Sequence, residues 1–73
     1  MCGIAGEIRF DGKPATLGAL ERMNEAMTPR GPDAVGAWAQ SGIGLAHRRL
    51  KIIDLTDRAG QPMTDPQLGL SIV

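Results

Sequence analysis

The spacing of apolar residues along the chain predicts one helix among several strands. In residues 17–27 the apolar positions recur every three or four residues with charged residues between them, which is the period of an amphipathic helix. Thr16, just before this run, is a suitable N-cap. Residues 3–10 alternate loosely and end at the turn-forming pair Asp11-Gly12, so we expect a strand that begins almost at residue 2. The apolar helix positions are Leu17, Leu20, Met23, Ala26 and Met27.

A loop and a hairpin are predicted next. The helix cannot continue through residues 28–33, because two prolines there remove backbone donors. Residues 35–39 and 43–46 are β-like runs separated by Gln40-Ser41-Gly42, which suits an antiparallel hairpin.

The remaining residues add short apolar runs and decide the fold class. Residues 50–55 form one such run, and a polar segment, residues 56–61, leads through Pro62 to a β-prone run at residues 68–73. One helix among several strands predicts an α+β fold in which the helix packs on one face of a mainly antiparallel sheet. The last run is of the kind that lies inside a sheet, so we expect a truncated domain that self-associates or needs further sequence of its own chain.

Composition and charge narrow the function classes. The 73 residues hold eight basic and eight acidic side chains with no block of either sign, so neither nucleic acid nor an anionic membrane is an expected partner. The single cysteine and single histidine exclude a disulfide framework and a structural zinc site, so no metal is expected. Without a signal peptide or an apolar run long enough for a membrane span, the expected compartment is the cytoplasm.

Cys2 is the strongest candidate for chemistry. If Met1 is removed, the thiol and a free α-amine belong to the same residue, which then supplies both a nucleophile and a base. A retained Met1 would block that amine. The small residues of Cys2-Gly3-Ile4-Ala5-Gly6 permit close approach by a substrate. Position alone favours the alternative that this lone cysteine is simply a small buried hydrophobic residue.

Three motifs together resemble a known family. They are the opening Met-Cys-Gly-Ile, the Arg30-Gly31-Pro32-Asp33 loop, and the His47-Arg48-Arg49-Leu50 segment that runs into an Ile-Ile-Asp strand. In this order and spacing they resemble the class II, amino-terminal-nucleophile glutamine amidotransferases of the asparagine synthetase (glutamine-hydrolysing) type. The glucosamine-phosphate synthase type has tyrosine after Arg-Gly, so Pro32-Asp33 favours the asparagine synthetase type. Residues 48–55 and 60–63 also resemble the branch that amidates N-acetylglutaminylglutamine.

The resemblance implies a fold and a reaction. The fold would be a four-layer αββα sandwich, of which residues 1–73 would form the amino-terminal part. Cys2 would attack the glutamine side-chain amide, and a γ-glutamyl thioester would release glutamate and ammonia. Ammonia would pass to a carboxy-terminal synthetase domain, absent here, that uses ATP and magnesium; residues 1–73 need no cofactor of their own. An asparagine-glycine pair and an acidic residue would follow beyond Val73.

The resemblance also assigns site residues. Arg49 matches the arginine that holds the α-carboxylate of glutamine, a task suited to a planar guanidinium. Leu50, Lys51, Ile52 and Ile53 would complete that side of the pocket, largely through backbone groups. A surface arginine between strands is the alternative for Arg49.

Other polar residues receive supporting or structural interpretations. Arg30 and Asp33 are expected to shape the loop beside Cys2, although a simple ion pair within the loop would explain them as well. His47 is predicted to be a structural hydrogen-bonding residue, and Arg48 a solvated one. Trp38 is expected on a sheet face. A non-catalytic module that associates through exposed strand edges remains the rival to the enzyme hypothesis.

Overall fold

The structure, a computed structural model, describes residues 1–73 and confirms the predicted α+β class, mostly antiparallel sheet with one helix. In chain order its elements are β1 (Gly3–Ile8), α1 (Leu17–Ala26), β2 (Ala34–Gln40), β3 (Ile43–Arg49), a 3-10 turn (Asp57–Ala59), β4 (Met63–Asp65) and β5 (Leu70–Ile72).

The main sheet has three antiparallel strands in the order β1-β3-β2, so the last of the three along the chain lies in the middle. The predicted hairpin of β2 and β3 is confirmed, and β3 continues to Arg49, three residues past the predicted end. The glycine in the turn does not carry the positive φ: Ser41 does, at 52°. Because β3 runs on to Arg49, the whole His47-Arg48-Arg49 motif is part of the central strand.

The helix α1 begins where the apolar spacing predicts and packs on one face of the sheet. Thr16 occupies the N-cap position, but its side chain makes no capping hydrogen bond. The Glu7 carboxylate of β1 instead accepts a hydrogen bond of 3.0 Å from the Thr16 backbone nitrogen. A negative charge at a helix amino terminus is favourable, so β1 supplies the cap that Thr16 does not.

The buried side of α1 differs in part from the predicted one. Leu20 is fully buried, whereas Leu17 is 56% exposed and Ala26 is also exposed. The polar residue Asn24 is buried instead, and its amide nitrogen donates to the Gly36 carbonyl of β2 at 3.0 Å. Its side-chain oxygen has no partner. A polar contact, rather than an apolar one, therefore ties the end of α1 to β2.

The Ile-Ile-Asp strand expected after β3 is not present, so that prediction is wrong. Ile52 and Ile53 are 73% and 96% exposed, and residues 50–55 form no strand. Asp54 accepts a hydrogen bond from the Thr56 backbone nitrogen at 2.8 Å, and such local bonds compete with sheet pairing.

The strand predicted at the end of the chain is confirmed as β5, which pairs with β4 in a separate two-stranded hairpin. The segment leading to β4 crosses the sheet at Gly36, where a side chain would overlap the Gln61 carbonyl. Trp38 is half-buried on the same strand, as expected for a sheet-face residue. The single α-helix has ten residues, and no helix is long and apolar enough to cross a membrane.

Candidate active site

The Cys2 thiol lies where β1 begins and β3 ends. Gly3 of β1 pairs with Arg48 of β3, which brings Cys2 beside the residues that follow the central strand. The Leu50 backbone nitrogen donates to Cys2 Sγ at 3.3 Å, and the Leu50 carbonyl lies 3.9 Å from the same sulfur. Cys2 is exposed and forms no disulfide. The thiol is therefore open to a substrate and held against the predicted substrate-binding segment, residues 49–53.

The Arg30-Gly31-Pro32-Asp33 loop closes one side of this corner. Arg30 Nε donates to the Cys2 carbonyl at 3.4 Å, and Arg48 Nε donates to the Gly31 carbonyl at 2.8 Å. Gly31 is buried, and a side chain there would overlap the backbone of Arg48 and Arg49. Only glycine permits this close approach. The expectation that Arg48 is merely solvated is therefore wrong, since it is half-buried and holds the loop to β3.

Asp33 bonds to the substrate-binding segment at two points. Its backbone nitrogen donates to the Arg49 carbonyl at 3.0 Å, and its carboxylate accepts from the Lys51 backbone nitrogen at 2.9 Å. It makes no ion pair with Arg30, so the simple loop ion pair is not what the structure shows. Asp33 thus aligns the backbone of residues 49–51 with the loop.

Arg49 is buried, with 7% of its surface exposed. Its terminal nitrogens donate to the backbone carbonyls of Thr56, at 2.6 Å, and of Asp54. The surface-arginine alternative does not describe this side chain. No acidic side chain forms an ion pair with Arg49, whose hydrogen bonds go to backbone carbonyls. The Asp54 and Asp57 carboxylates are near enough for the Arg49 charge to help lower the pKa of each.

The other residues of the segment differ in exposure. Leu50 and Lys51 are half-buried, while the side chains of Ile52 and Ile53 point into solvent. Lys51 Nζ lies 2.9 Å from the Asp57 carboxylate, and that hydrogen bond holds the pKa of Asp57 below its usual value.

His47 is buried in β3, and its ring makes no hydrogen bond, so the expected hydrogen-bonding role is not found. Burial lowers the pKa of His47, and the nearby Arg49 charge lowers it further. His47 is thus a neutral packing residue at neutral pH.

Sequence reasoning missed Asp54 and Thr56. The Asp54 carboxylate accepts from both the backbone nitrogen and the hydroxyl of Thr56, and these bonds lower the pKa of Asp54. An aspartate two residues before a threonine is the signal that predicts such a turn. No three His, Cys, Asp or Glu side chains are grouped so that they could hold a metal ion.

The family described as the glutamine amidotransferase domain matches residues 1–73, which include the Cys2 thiol and the buried Arg49. A putative asparagine synthetase (glutamine-hydrolysing) from Methanocaldococcus jannaschii is 45% identical over 67 residues, which is 86% of this chain and 13% of the relative. Asparagine synthetase B (glutamine-hydrolysing) from Escherichia coli is 39% identical over 69 residues, 92% of this chain and 12% of the relative. The chain belongs to the class II glutamine amidotransferase domains of the asparagine synthetase (glutamine-hydrolysing) family.

A third relative is described only by its domain. The putative glutamine amidotransferase from Methanothermobacter thermautotrophicus is 40% identical over 62 residues, 82% of this chain and 20% of the relative. The chain thus spans a fifth or less of the length of these curated relatives. No solved structure matches the chain.

Proposed function

We propose that residues 1–73 are the amino-terminal part of a domain that hydrolyses glutamine to glutamate and ammonia through a thioester on Cys2. One observation carries the proposal. The Leu50 backbone nitrogen donates to Cys2 Sγ at 3.3 Å, across 48 residues of sequence, and Leu50 directly follows Arg49. Folding therefore brings the thiol to the backbone of the residue next to the predicted substrate anchor, which supports the proposal.

The chemistry requires Met1 to be removed. Met1 is 82% exposed, so the fold does not shield the bond that has to be cut. The Cys2 sulfur then attacks the side-chain amide carbon of glutamine, and the α-amine of Cys2 delivers the thiol proton to the departing nitrogen, which leaves as ammonia. Water, activated by the same amine, attacks the thioester carbon and releases glutamate and the free thiol.

The substrate would bind along residues 49–53. Arg49 would hold the α-carboxylate of glutamine, and Leu50, Lys51, Ile52 and Ile53 would line the pocket mainly through backbone groups. Two of the five guanidinium donors of Arg49 bond to backbone carbonyls, and the other three have no hydrogen-bond partner in the structure. Arg30 and Asp33 would support the site by fixing the backbone of Cys2 and Lys51.

The remainder of the protein would use the ammonia. In this proposal an ATP- and magnesium-dependent synthetase domain of the same chain takes up ammonia in a ligase reaction in the cytoplasm, and the complete amidotransferase domain is a four-layer αββα sandwich. The relatives' names and lengths support this, because two are glutamine-hydrolysing asparagine synthetases many times longer than this chain.

A second candidate function is a self-associating module. Ile4 and Ile8 of β1 are each 63% exposed, on the sheet face opposite α1. Such exposed apolar residues favour association with another chain.

Labelling of Cys2 separates the two candidates. Full-length protein would be treated with 6-diazo-5-oxonorleucine, an electrophile that mimics glutamine, and analysed by intact mass and peptide mapping. We expect one adduct on a Met-free Cys2, its absence in Cys2→Ala, and protection by excess glutamine. A folded, processed protein that stays unlabelled would reject the glutaminase and favour the association module.

A further inference from the structure

A tight turn after β3 holds the Arg49 guanidinium. The residues of this turn have no role in the reaction steps proposed above. The turn spans residues 54–56, and its first and last carbonyls, of Asp54 and Thr56, accept hydrogen bonds from the two terminal nitrogens of Arg49. Because Arg49 is 7% exposed, most of its hydration is lost, and these carbonyl dipoles offset part of that cost.

The Asp54 carboxylate gives this turn its shape. One carboxylate oxygen accepts from the Thr56 backbone nitrogen at 2.8 Å and from the Thr56 hydroxyl at 2.6 Å. The Thr56 hydroxyl oxygen also accepts from the Arg58 backbone nitrogen at 3.3 Å, which begins the 3-10 turn. A side chain that bonds its own backbone two residues on fixes the direction of the intervening peptide groups. The Asp54 carboxylate therefore fixes the peptide group that carries the Asp54 carbonyl, and the Thr56 hydroxyl, bonded to Asp54 and to the Arg58 nitrogen, fixes the one that carries the Thr56 carbonyl.

We propose that Asp54 and Thr56 are positioning residues that orient the Arg49 guanidinium to bind the α-carboxylate of glutamine. The guanidinium is planar, so fixing its two terminal nitrogens also fixes the plane and direction of the three donors that remain. The ligand then meets an arginine that does not have to be ordered on binding, which improves its affinity. This inference rests on the proposed glutaminase function and adds the residues that prepare its anchor.

Two alkylating probes of Cys2 test the inference on the full-length protein. 6-Diazo-5-oxonorleucine carries the α-carboxylate that Arg49 would bind, whereas iodoacetamide carries none. Asp54→Ala is expected to slow Cys2 labelling by the first probe about tenfold and to change labelling by the second less than about twofold. Asp54→Asn keeps an acceptor oxygen for Thr56 and is expected to recover most of the lost rate.

A matched control comes from the β4–β5 hairpin. Asp65 accepts hydrogen bonds from the backbone nitrogens of Gln67 and Leu68, at 3.0 and 3.1 Å, in the same kind of turn but away from Arg49. Asp65→Ala should leave the ratio of the two labelling rates unchanged. If Asp54→Ala does not fold, Thr56→Val against Thr56→Ser makes the same comparison, because only serine retains the hydroxyl.

Each result decides a separate question. Equal labelling ratios for wild type, Asp54→Ala and Thr56→Val would overturn the positioning role while leaving the glutaminase intact. A parallel loss with both probes would also overturn it, since general damage to the site does not depend on the α-carboxylate. Wild-type protein that reacts with iodoacetamide but not with 6-diazo-5-oxonorleucine would reject the proposed function itself.

Discussion

At the scale of single residues, the corner around Cys2 is built mainly from backbone groups held by a few side chains. Cys2 bonds to the backbone of Leu50, Asp33 to that of Lys51, and Arg49 to carbonyls of the following turn. A side-chain substitution leaves these backbone groups in place. The arrangement is therefore tested by replacing the side chains that hold them.

Asp33→Ala should loosen the substrate-binding segment locally. The Lys51 amide would lose its charged acceptor, a bond worth roughly 1 kcal/mol when exposed to solvent, so its hydrogen exchange should become about fivefold faster. Hydrogen exchange of the full-length protein, resolved to single amides, measures this. Asp57→Ala is the control, because Asp57 contacts only the Lys51 side chain. Unchanged exchange at Lys51 in Asp33→Ala would contradict the bond.

His47 should make the domain sensitive to mild acid. Its pKa in the fold lies below the usual 6.5, chiefly because of burial and secondly because of Arg49, so the unfolded chain binds the proton first as the pH falls. The stability that depends on a neutral His47 is therefore fully present above about pH 6.5, and it is lost as the pH falls from there towards the lowered pKa. Thermal unfolding between pH 7.5 and 5.5 should show this decline, and it should be smaller in His47→Gln. An identical decline in the variant would assign the effect to other groups.

At the scale of elements, the periodic spacing of apolar residues predicts the helix and the strands. Features that depend on single contacts between elements are not predicted. The periods of three to four and of two residues located α1, β1 and the β2–β3 hairpin. They did not reveal that Glu7 caps α1, that Asn24 replaces an apolar residue beneath it, or that β3 reaches Arg49. These depend on which strand lies beside which residue, and no local pattern contains that information.

The same distinction applies to the site. The motifs brought Cys2, Arg30, Asp33 and Arg49 to attention, and the structure places all four at one corner. The run after Arg49 reads as a strand because it is apolar, yet the Asp54 side chain turns the chain away from the sheet. Side-chain bonding to the local backbone outweighed β-propensity there.

Gly31→Ala should separate the Arg30–Asp33 loop from β3. The added methyl would overlap the backbone of Arg48 and Arg49, which cannot move without breaking strand pairing. Labelling of Cys2 in the full-length protein by 6-diazo-5-oxonorleucine should slow by about tenfold or more. Gly18→Ala is the control, since its methyl would meet only the flexible end of Arg22 at 3.5 Å and should stabilise α1 slightly. Equal rates in both variants would show that the close approach is not required.

At the scale of the whole molecule, the chain is a thin slab. It measures 38 × 31 × 13 Å, and eight of its 73 residues are buried. Its accessible surface is 5146 Å², against about 4300 Å² for a folded monomer of its mass. The helix covers one face of the sheet, and large apolar side chains remain exposed on the other.

The isolated 73-residue chain should therefore self-associate. Light scattering after size-exclusion chromatography should give a mass above 7.7 kDa that rises with concentration. Replacing both Ile4 and Ile8 by lysine should lower that mass, because charges would lie on the exposed sheet face. Phe10→Lys, which changes a more exposed apolar residue just beyond β1, is the control for the added charge. A monomer at every concentration would contradict the prediction.

The central position of β3 has a consequence for how the molecule is made. The two outer strands do not touch, and the strand between them is the last of the three to leave the ribosome. Until β3 inserts between them, the Leu50 backbone is not beside Cys2, and the loop at Gly31 cannot pack against the backbone of Arg48 and Arg49. A contact between residues 48 positions apart closes slowly compared with a helix or a hairpin. The reactive corner therefore forms only after the middle strand has been made and has entered the sheet.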